Sequence, residues 1–463
     1  MSQRLLLWSV VSSLAGFLFG FDTVVIAGGE KTIESLWSLS KTEHGIMMSA
    51  SLWATVVGSI VGSWPADRFG RRPTLIAIGA MYVVSALWSA MSGGLWALVA
   101  ARAIGGFGVG IATVAAPMYI SEIAPAAYRG RLAGLFQFNI VFGILAAFAS
   151  NAIVKGVAGD DSVAWRYMLG VEAVPAAIYS LLALLLPESP RYLLSRAGGS
   201  STEAEAARAT LRTLNPDADA ARLDELVASI RTASQSPADA EANAADGAAR
   251  RSLAAIRTPL ALAFFIAMFN QLSGINVVLY YANRIFEKAD LGEAATNLST
   301  IGVGVVNLLA TMLGLYLIDR AGRRTLLLIG SVGYIVSLGA CSLAFAQGQF
   351  KLVPWCLFLF IASHAVGQGA VIWVFISEIF PTRSRALGQS VGSSTHWVFA
   401  ALLTFLVPRV LDADSSPAGP FAFFCAMMVL QLVWVLWKVP ETKGVPLEEI
   451  EAKLGLRDDV TPS

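Results

Sequence analysis

The stretch Asp67-Arg-Phe-Gly-Arg-Arg72 returns as Asp319-Arg-Ala-Gly-Arg-Arg324, so one six-residue pattern starts at positions 67 and 319, which are 252 apart. A second stretch, Tyr119-Ile-Ser-Glu-Ile-Ala-Pro125, returns 256 positions later as Phe375-Ile-Ser-Glu-Ile-Phe-Pro381. The third pair is Pro187-Glu-Ser-Pro-Arg191 and Pro440-Glu-Thr-Lys-Gly444. One match can arise by chance, but three matches at nearly the same offset indicate two related halves.

The composition places both halves in a membrane. Of the 463 residues, 56% are hydrophobic and only 14% are charged, and the mean hydropathy is +0.64. Soluble domains have about 25% charged residues. The net charge of +1 gives no general attraction to nucleic acid. Cys341, Cys356 and Cys425 lie in apolar runs without paired spacing, which argues against a disulfide framework or a metal site.

Apolar stretches of about 20 residues, the length that crosses a bilayer, predict the membrane helices. They indicate an all-α membrane protein with two pseudo-symmetric six-helix halves. The twelve predicted helices cover residues 6–28, 46–66, 73–92, 96–118, 132–154, 166–187, 258–283, 296–318, 325–346, 354–377, 386–408 and 419–439. Two parallel repeats with a site between them are the architecture of a transporter that works by rocking.

The short loops predict the orientation of the chain. The loops at 68–72 and 320–324 each carry three arginines, and they occupy corresponding places in the two halves. The loops on the opposite side carry scattered single lysines such as Lys155, Lys288 and Lys351. Because loops rich in lysine and arginine stay in the cytoplasm, we expect both termini there.

The only sizeable polar segment lies between the halves. Thr202 and Glu205 have the spacing of a capping box, which opens a predicted helix that Asn215-Pro216 ends. Apolar residues recur at helical spacing from Leu223 to Ile230 and predict a second helix. The predicted division is an N-terminal half 1–190, a cytoplasmic linker 191–257 with short helices, a C-terminal half 258–440 and a cytoplasmic tail 441–463.

An acidic residue, Asp22, lies inside the first apolar stretch, Leu14-Ala-Gly-Phe-Leu-Phe-Gly-Phe-Asp-Thr-Val-Val-Ile-Ala-Gly-Gly29. A carboxylate at that depth costs roughly 2.5–3.5 kcal/mol, and it usually faces the protein interior and marks an ion or substrate path. Arg102 and Glu172 lie at the same predicted depth, roughly 9 Å below the outer surface at 1.5 Å per residue. Three ionisable residues at one depth predict one cluster. A permanent ion pair that only holds two helices together is the alternative.

These motifs together resemble the sugar porter family of the major facilitator superfamily, which includes bacterial xylose and glucose proton symporters and animal glucose facilitators. The paired Asp-Arg-x-Gly-Arg-Arg loops alone indicate only the superfamily. The two Pro-Glu stretches and Gln271-Leu-Ser-Gly-Ile-Asn276-Val-Val-Leu-Tyr-Tyr281 are specific to sugar porters. The resemblance extends from Gly16 to about Leu454 and implies the major facilitator fold.

The resemblance also implies a role for the charged cluster. Asp22 and Arg102 match the acid and the arginine of the family's proton symporters, and Glu172 matches an additional acid in some of them. The family's facilitators generally lack the acid in the first helix. We therefore expect proton coupling at these three residues, in which protonation of Asp22 weakens its pair with Arg102 and lets the helices move with sugar bound.

Acids and arginines at the cytoplasmic helix ends are duplicated between the halves, which suggests ion pairs that form in one state and break in another. The resemblance implies that they hold the cytoplasmic side shut. The candidates are Asp67, Arg68, Arg72, Glu122, Arg131, Glu188, Asp319, Arg320, Arg324 and Glu378. For Arg71 and Arg323, anchoring in the lipid headgroups carries equal weight. A single surface pair contributes about 0–1 kcal/mol, so only a network would bias the equilibrium.

A sugar site needs neutral hydrogen-bonding groups and an aromatic platform, because a sugar ring has hydroxyl edges and apolar faces. The intramembrane candidates are the amides Gln137, Asn270, Gln271, Asn276 and Asn307 and the platforms Trp373 and Trp397. An isolated amide usually joins helices. Gln271 and Asn276 differ because Gly274 loosens the helix between them, and the resemblance assigns both to sugar contact. It also matches Phe19, Gln137, Asn307, Gly369 and Trp373 to contact positions.

Three residues depart from the family pattern. Asn270 stands where the family usually has glutamine, so its amide reaches one methylene less far. Ile144 occupies a position where the bacterial xylose symporters have glutamine, and this isoleucine makes the pocket resemble that of the glucose facilitators there. His396 precedes Trp397 where an amide is common, and sugar contact and core packing are equally weighted for it.

The sequence therefore predicts a secondary active transporter that imports a monosaccharide, a hexose or a pentose, with a proton by alternating access. A facilitator without proton coupling is the main alternative. A membrane sugar sensor is a remote one, because we expect a sensor to carry a long cytoplasmic tail. The three histidines and three cysteines form no catalytic constellation, so we expect no enzymatic activity and no cofactor. The expected partners are the sugar, the proton and the lipid bilayer, with a monomer in the bacterial inner membrane.

Overall fold

The computed structural model describes residues 3–125, 128–196, 201–216, 218–234, 256–380, 384–410 and 416–445. Within these ranges every regular element is a helix. Eleven helical spans in them are long and apolar enough to cross a membrane. Their helices are Gln3–Val25, Lys41–Val61, Arg71–Met91, Leu95–Ile123, Arg129–Ala158, Arg257–Leu272 with Ile275–Tyr280, Glu293–Ala321, Arg323–Ala346, Val353–His364 with Ala370–Ile379, Arg385–Val410 and Ala418–Lys438.

The remaining predicted crossing, the sixth, consists of two shorter helices, Asp161–Gly170 and Ala173–Ala183. The break between them includes Glu172. It has a local cause, because Pro175 lacks the N–H group that would bond to the carbonyl of Val171. With this pair the fold has the twelve predicted crossings, numbered 1–12 here in chain order. An even number places both ends of the bundle on one side, called the terminal side; the opposite side is the far side.

Two crossings in the C-terminal half are interrupted near mid-membrane. Crossing 7 breaks at Gly274, whose φ of +85° lies in the left-handed region that favours glycine. The chain continues as Ile275–Tyr280 and Ala282–Lys288. Crossing 10 contains one wide turn at Ala365–Gly369, a π-helix of the kind that often occurs at functional sites. Such breaks are tolerated at this depth where the backbone is buried in protein or lines a cavity.

The segment between the halves contains the helices Pro190–Arg196, Ser201–Leu214 and Ala220–Ser234. The second of these ends directly before Asn215-Pro216, as predicted. Residues 235–255 of the predicted linker and 446–463 of the predicted tail lie outside the described residues. The division into 1–190, 191–257, 258–440 and 441–463 stays a prediction.

Small residues let the helices approach closely. A Cβ added at Gly20 in crossing 1 would lie 1.9 Å from the carbonyl oxygen of Ile140 in crossing 5. The halves also contact each other: a Cβ at Gly45 in crossing 2 would lie 2.4 Å from the carbonyl oxygen of Phe405 in crossing 11. This is the small-residue packing typical of membrane helices, and it encloses a central region between the halves.

Gly106→Ala should lower stability by about 1–3 kcal/mol, because an added methyl group overpacks the contact. Its Cβ would lie 2.0 Å from the carbonyl oxygen of Ser51 in crossing 2. The control is Gly108→Ala in the same helix, where the nearest atom, Cβ of Met81, lies at an ordinary 3.4 Å. Thermal unfolding of the purified proteins in detergent compares the two. Equal stability would contradict the close packing of crossings 2 and 4.

Candidate functional site

A buried ion pair joins crossings 1 and 4 in the N-terminal half. The side chains of Asp22 and Arg102 are each only 2% exposed. Nη1 of Arg102 donates to Oδ1 of Asp22 at 2.5 Å, and Nη2 donates to the backbone carbonyl of Asp22 at 2.9 Å. Ser51 in crossing 2 donates to Oδ2 of Asp22 at 2.9 Å. Both carboxylate oxygens therefore have a donor, as a buried ion requires.

Glycine gives the carboxylate room. Gly105 follows Arg102 by three residues and so lies on the same face of crossing 4. A Cβ at Gly105 would lie 3.3 Å from Oδ1 of Asp22 and 2.5 Å from Oγ of Ser85. The sequence Arg-Ala-Ile-Gly thus combines the charge and the space that this pair needs.

Glu172 is the second acid of the predicted cluster, and it lies at the break of crossing 6. It is buried, and its Oε1 has no hydrogen-bond partner among the described residues. Its electrostatic interactions are with Asp22 and Arg102. The buried hydroxyl of Tyr82 also lacks a hydrogen-bond partner in the described chain and interacts with both acids. Within the described residues, the site thus combines one paired carboxylate with one carboxyl group whose Oε1 has no donor.

A second polar group lies in the C-terminal half at the break of crossing 7. Nε2 of Gln271 donates to Oδ1 of Asn270 at 2.9 Å and lies 3.1 Å from Nε2 of His396. Oε1 of Gln271 accepts a hydrogen bond from Asn276 at 2.9 Å. Gln271 is therefore the central residue, with contacts on both sides of the break and on crossing 11.

Amides continue this group into the C-terminal half. Nδ2 of Asn270 lies 3.5 Å from Oε1 of Gln368, and Gln368 donates to Gln431 at 3.0 Å. Gln431 in turn donates to Ser331 at 2.8 Å. Gln368 and Gln431 were not among the predicted residues. Both are amides inside strongly apolar stretches, which is a signal that the sequence does contain.

Aromatic rings line the central region next to the amides. The ring centroid of His396 lies 5.2 Å from that of Trp373 and 4.7 Å from that of Trp397. Phe19 of crossing 1 lies 5.5 Å from Trp397 of crossing 11. These rings therefore meet between the two halves, next to the Gln271 amide.

The other predicted sugar contacts are less connected. Gln137 is half-buried and Asn307 is buried, and neither makes a hydrogen bond to a described residue. Gly369 closes the wide turn of crossing 10, where a Cβ would lie 3.2 Å from the carbonyl oxygen of His364. Ile144 is buried in the apolar core.

A third group of polar contacts occurs twice on the terminal side. In the N-terminal half, Nε of Arg71 donates to Oε2 of Glu122 at 3.0 Å, and Nη1 donates to the carbonyl of Ala66 at 3.0 Å. Glu188 accepts from the backbone N–H of Arg71 at 3.0 Å. Arg71, for which headgroup anchoring was an equal alternative, is thus the centre of the first copy.

The second copy repeats these contacts at nearly the same distances. Nε of Arg323 donates to Oε2 of Glu378 at 3.0 Å, and Nη1 donates to the carbonyl of Ile318 at 3.0 Å. Glu441 accepts from the backbone N–H of Arg323 at 2.9 Å. One difference is that Thr442 also donates to Glu378, at 2.6 Å.

The two copies differ in the proton affinity of their third member. Burial raises the pKa of Glu188 more than its backbone N–H donors lower it. Burial also acts on Glu441, but the backbone N–H groups of Lys443, Arg323, Arg324 and Thr442 outweigh it and lower its pKa. Glu188 therefore binds a proton more readily than Glu441, its counterpart in the second copy.

The remaining candidates on the terminal side contact their own half. Asp67 pairs with Arg71 at 3.2 Å, and Asp319 pairs with Arg323 at 3.1 Å. The guanidinium groups of Arg72 and Arg324 each donate to a helix-end carbonyl at 2.8 Å. Three further arginines, Arg68, Arg131 and Arg320, are exposed. The guanidinium of Arg320 lies over the ring of Tyr316. Arg68 and Arg131 form no ion pair within the described ranges. The contacts therefore join helix ends within each half, not across the halves.

Known proteins resemble this chain along its length. Residues 8–454 match the family described as "Sugar (and other) transporter". The glucose transporter GlcP of Staphylococcus epidermidis is 32% identical, with 96% of each chain covered. The D-xylose transporter of Levilactobacillus brevis is 33% identical over 96% of this chain and 94% of its own. The arabinose-proton symporter of Escherichia coli K12 is 32% identical over 96% of this chain and 92% of its own.

Solved structures share the fold. A partially occluded inward-open structure of the xylose transporter XylE from E. coli has a TM-score of 0.82 at 28% identity, covering 96% of this chain and 100% of that one. A second XylE structure contains 6-bromo-6-deoxy-D-glucose and describes XylE as a proton:xylose symporter. Its TM-score is 0.77 at 29% identity, and the match covers 97% of this chain and 99% of that one. The predicted fold class is confirmed.

Arg71→Gln should lower the free energy of unfolding by about 2–3 kcal/mol, and Arg323→Gln by about 1–2 kcal/mol. The side chain of Glu122 is 11% exposed, whereas that of Glu378 is 27% exposed and keeps its bond from Thr442. The carboxylate that loses its arginine is thus less solvated in Arg71→Gln, where it is Glu122, than in Arg323→Gln, where it is Glu378. Chemical denaturation of the purified variants measures both costs, and a larger loss at Arg323 would contradict this ranking.

Proposed function

The chain belongs to the sugar transporter family, as its motifs predict, and on this premise we propose that it imports a monosaccharide together with a proton by alternating access. The observation that carries the proposal is the buried pair of Asp22 and Arg102, in the same bundle as an amide and aromatic site between the halves. The arabinose-proton symporters and the proton:xylose symporter XylE among its relatives support the proton coupling.

Protonation of Asp22 is the proposed switch. The ionised carboxylate accepts from both Arg102 and Ser51, so it holds crossings 1, 2 and 4 together. A proton on Asp22 removes the charge that Arg102 compensates and leaves a buried guanidinium without its counter-ion. Breaking a buried pair in this way costs about 3–5 kcal/mol, which favours a rearrangement of the helices. Glu172, whose Oε1 lacks a donor among the described residues, is the carboxyl group that the released guanidinium can approach.

One carboxylate is sufficient for accumulation. A proton that moves down a membrane potential of about 100 mV releases roughly 2.3 kcal/mol. Since about 1.4 kcal/mol corresponds to a tenfold ratio, this supports roughly fifty-fold accumulation of a neutral sugar.

The sugar is proposed to bind around Gln271. The amides of Asn270, Gln271 and Asn276 bond to each other, so they are held in place and present their remaining donors and acceptors. Gln137 and Asn307 make no hydrogen bond to the described residues, so both can offer a donor and an acceptor to sugar hydroxyls. Trp373 and Trp397 offer apolar ring faces, which suit a hexose or a pentose.

The proposed state is inward-facing, with the terminal side in the cytoplasm. The arginines clustered on the terminal side support this orientation. On the far side, Asn283 of the C-terminal half donates to the carbonyl of Ala27 in the N-terminal half at 3.0 Å, and Lys31 pairs with Glu287. The TM-score of 0.82 to the partially occluded inward-open structure of XylE agrees with this.

Further parts of the proposal concern assembly and gating. We expect a monomer in the bacterial inner membrane that moves its sugar chemically unchanged, without an enzymatic step. The exposed arginines Arg68 and Arg131 are proposed to contact the C-terminal half when the cytoplasmic side closes. The pairs centred on Arg71 and Arg323 keep each half rigid during that movement.

Asp22→Asn should abolish proton-driven accumulation and keep sugar exchange, because exchange does not require deprotonation. Uptake of radiolabelled glucose, xylose, galactose and fructose into proteoliposomes, with and without a protonophore, measures accumulation. Counterflow in the same vesicles is the control for folding and sugar binding. Wild-type accumulation by Asp22→Asn would contradict the coupling role. Insensitivity of the wild type to the protonophore would instead indicate a facilitator.

Gln271→Ala should weaken sugar binding roughly five- to a hundred-fold, because the loss of a partner for a buried hydroxyl costs about 1–3 kcal/mol. Asn270→Ala and His396→Ala should each weaken it less, because the amide of Asn270 reaches one methylene less far than a glutamine and a neutral His396 ring offers only one donor and one acceptor. Calorimetric titration of the three purified variants gives the ranking. A larger loss of affinity in Asn270→Ala would contradict this ranking and would indicate that the sugar ring lies closer to Asn270 than to Gln271.

A further inference from the structure

A buried charge cluster joins the two halves on the far side. Glu30 and Glu34 lie in the helix Glu30–Leu36, which follows crossing 1, and His44 lies in the first turn of crossing 2. Arg284 lies in the C-terminal half, in the helix Ala282–Lys288. Nε and Nη2 of Arg284 donate to the two carboxylate oxygens of Glu30 at 2.9 and 2.8 Å, and Nη2 also contacts Glu34.

His44 lies between the same two acids and is fully buried. Its Nε2 lies 2.8 Å from Oε2 of Glu30, and its Nδ1 lies 3.2 Å from Oε1 of Glu34. A neutral imidazole has one N–H group and one lone pair, whereas the protonated ring has two N–H groups. Neither ring nitrogen makes a well-aligned hydrogen bond to a described residue, so the two acids act on the ring through charge at short distance. Two carboxylates this close to an imidazole favour its positively charged form.

With that proton the cluster is electrically neutral, because two carboxylates face one guanidinium and one imidazolium. Without it, the closed cluster holds one uncompensated negative charge beside Glu30, whose side chain is only 1% exposed, and this is costly. When the far side opens, Arg284 leaves with the C-terminal half, and water reaches Glu30, Glu34 and His44. The proton is then no longer needed for charge balance.

Within the described residues, only Glu30 and Glu34 pair with the ring of His44. The ring of Tyr281 meets that of His44 edge-on at 6.2 Å, but its hydroxyl donates to the carbonyl of Thr404. Arg409 of crossing 11 donates to Thr42, and Lys31 pairs with Glu287. Burial alone would raise the pKa of Glu34, but its interactions with His44 and Arg284 outweigh it and lower that pKa to about 2.

We propose that His44 is a second proton-binding site of this transporter, and that its protonation is required for the outer ends of the two halves to close around Arg284. The proposal uses the alternating access of the proposed function but not the identity of the sugar or the role of Asp22. An acidic outer solution then favours the inward-facing state, which is the same direction in which the proton gradient drives import.

A divalent metal ion is the competing ligand. Glu30, Glu34 and His44 offer ligand atoms within 4.8 Å of one another. Arg284 already places a positive charge against both carboxylates, so a divalent ion would leave the closed cluster with an excess of positive charge. The proton balances it, and the experiment includes a chelator to separate the two ligands.

The test measures closure directly, without sugar. Nitroxide labels are placed at the exposed positions Ser35→Cys and Ala294→Cys, one in each half on the far side, in a variant without the three native cysteines. Asp22→Asn is included so that the first proton site is silent. Pulsed electron paramagnetic resonance then gives the fractions of molecules with short and with long distances between the two labels, across a pH series.

The closed fraction should rise as the pH falls, with a closed-to-open ratio that changes by up to about tenfold per pH unit for one linked proton. His44→Gln should remove this dependence. Arg284→Gln should lower the ratio at every pH by at least about tenfold, because both acids lose a buried partner. Arg409→Gln, which removes a contact with Thr42 on the same side, is the matched control and should keep the dependence.

Thermal unfolding of each variant verifies that it is folded. A pH dependence that survives in folded His44→Gln would overturn the proposal, and so would unchanged distances in Arg284→Gln. Loss of the dependence when EDTA is added would identify a metal ion instead of a proton and would also overturn it. Because no sugar is transported in this measurement, none of these results would test sugar–proton symport.

Discussion

The constraint on which the structure depends is the burial of two opposite charges, Asp22 and Arg102, inside a membrane bundle. Each side chain is 2% exposed, so neither is stabilised by water, and each is tolerated only because the other compensates it. Ser51 and the backbone carbonyl of Asp22 satisfy the remaining groups, and Gly105 leaves the space that this requires. A proton on Asp22 would remove the charge that compensates Arg102 and weaken the contacts among three helices. That sensitivity makes the pair suitable for coupling.

The contacts that surround this pair differ in kind within and between the halves. Within each half, the networks centred on Arg71 and Arg323 hold helix ends with nearly equal distances, so each half can move as a unit. Between the halves, the far side is held by polar groups that can separate into water, including Arg284 with Glu30. Rigid halves and a separable contact are what rocking about a central site requires.

The sequence predicted the crossings well, because a stretch of about 20 apolar residues has few alternatives to a membrane helix. It also predicted that Asp22, Arg102 and Glu172 lie at one depth, since helix rise converts sequence position into depth. It did not single out Ser51 and Tyr82, because serine and tyrosine are ordinary residues in such helices. The far-side cluster was also missed, since Glu30 and Arg284 are distant in sequence and lie in segments where charge is common. The roles of these residues in transport stay predictions.

The most direct test of coupling is the proton movement that accompanies sugar. Purified protein is placed in weakly buffered proteoliposomes without a proton gradient, with the membrane potential clamped by potassium and valinomycin. Sugar is then added outside while the external pH is recorded. Symport predicts that the outside becomes more alkaline as sugar enters, with about one proton for each sugar molecule, because one carboxylate carries the coupling charge. Sugar entry with no change in external pH would contradict the account and would identify a facilitator.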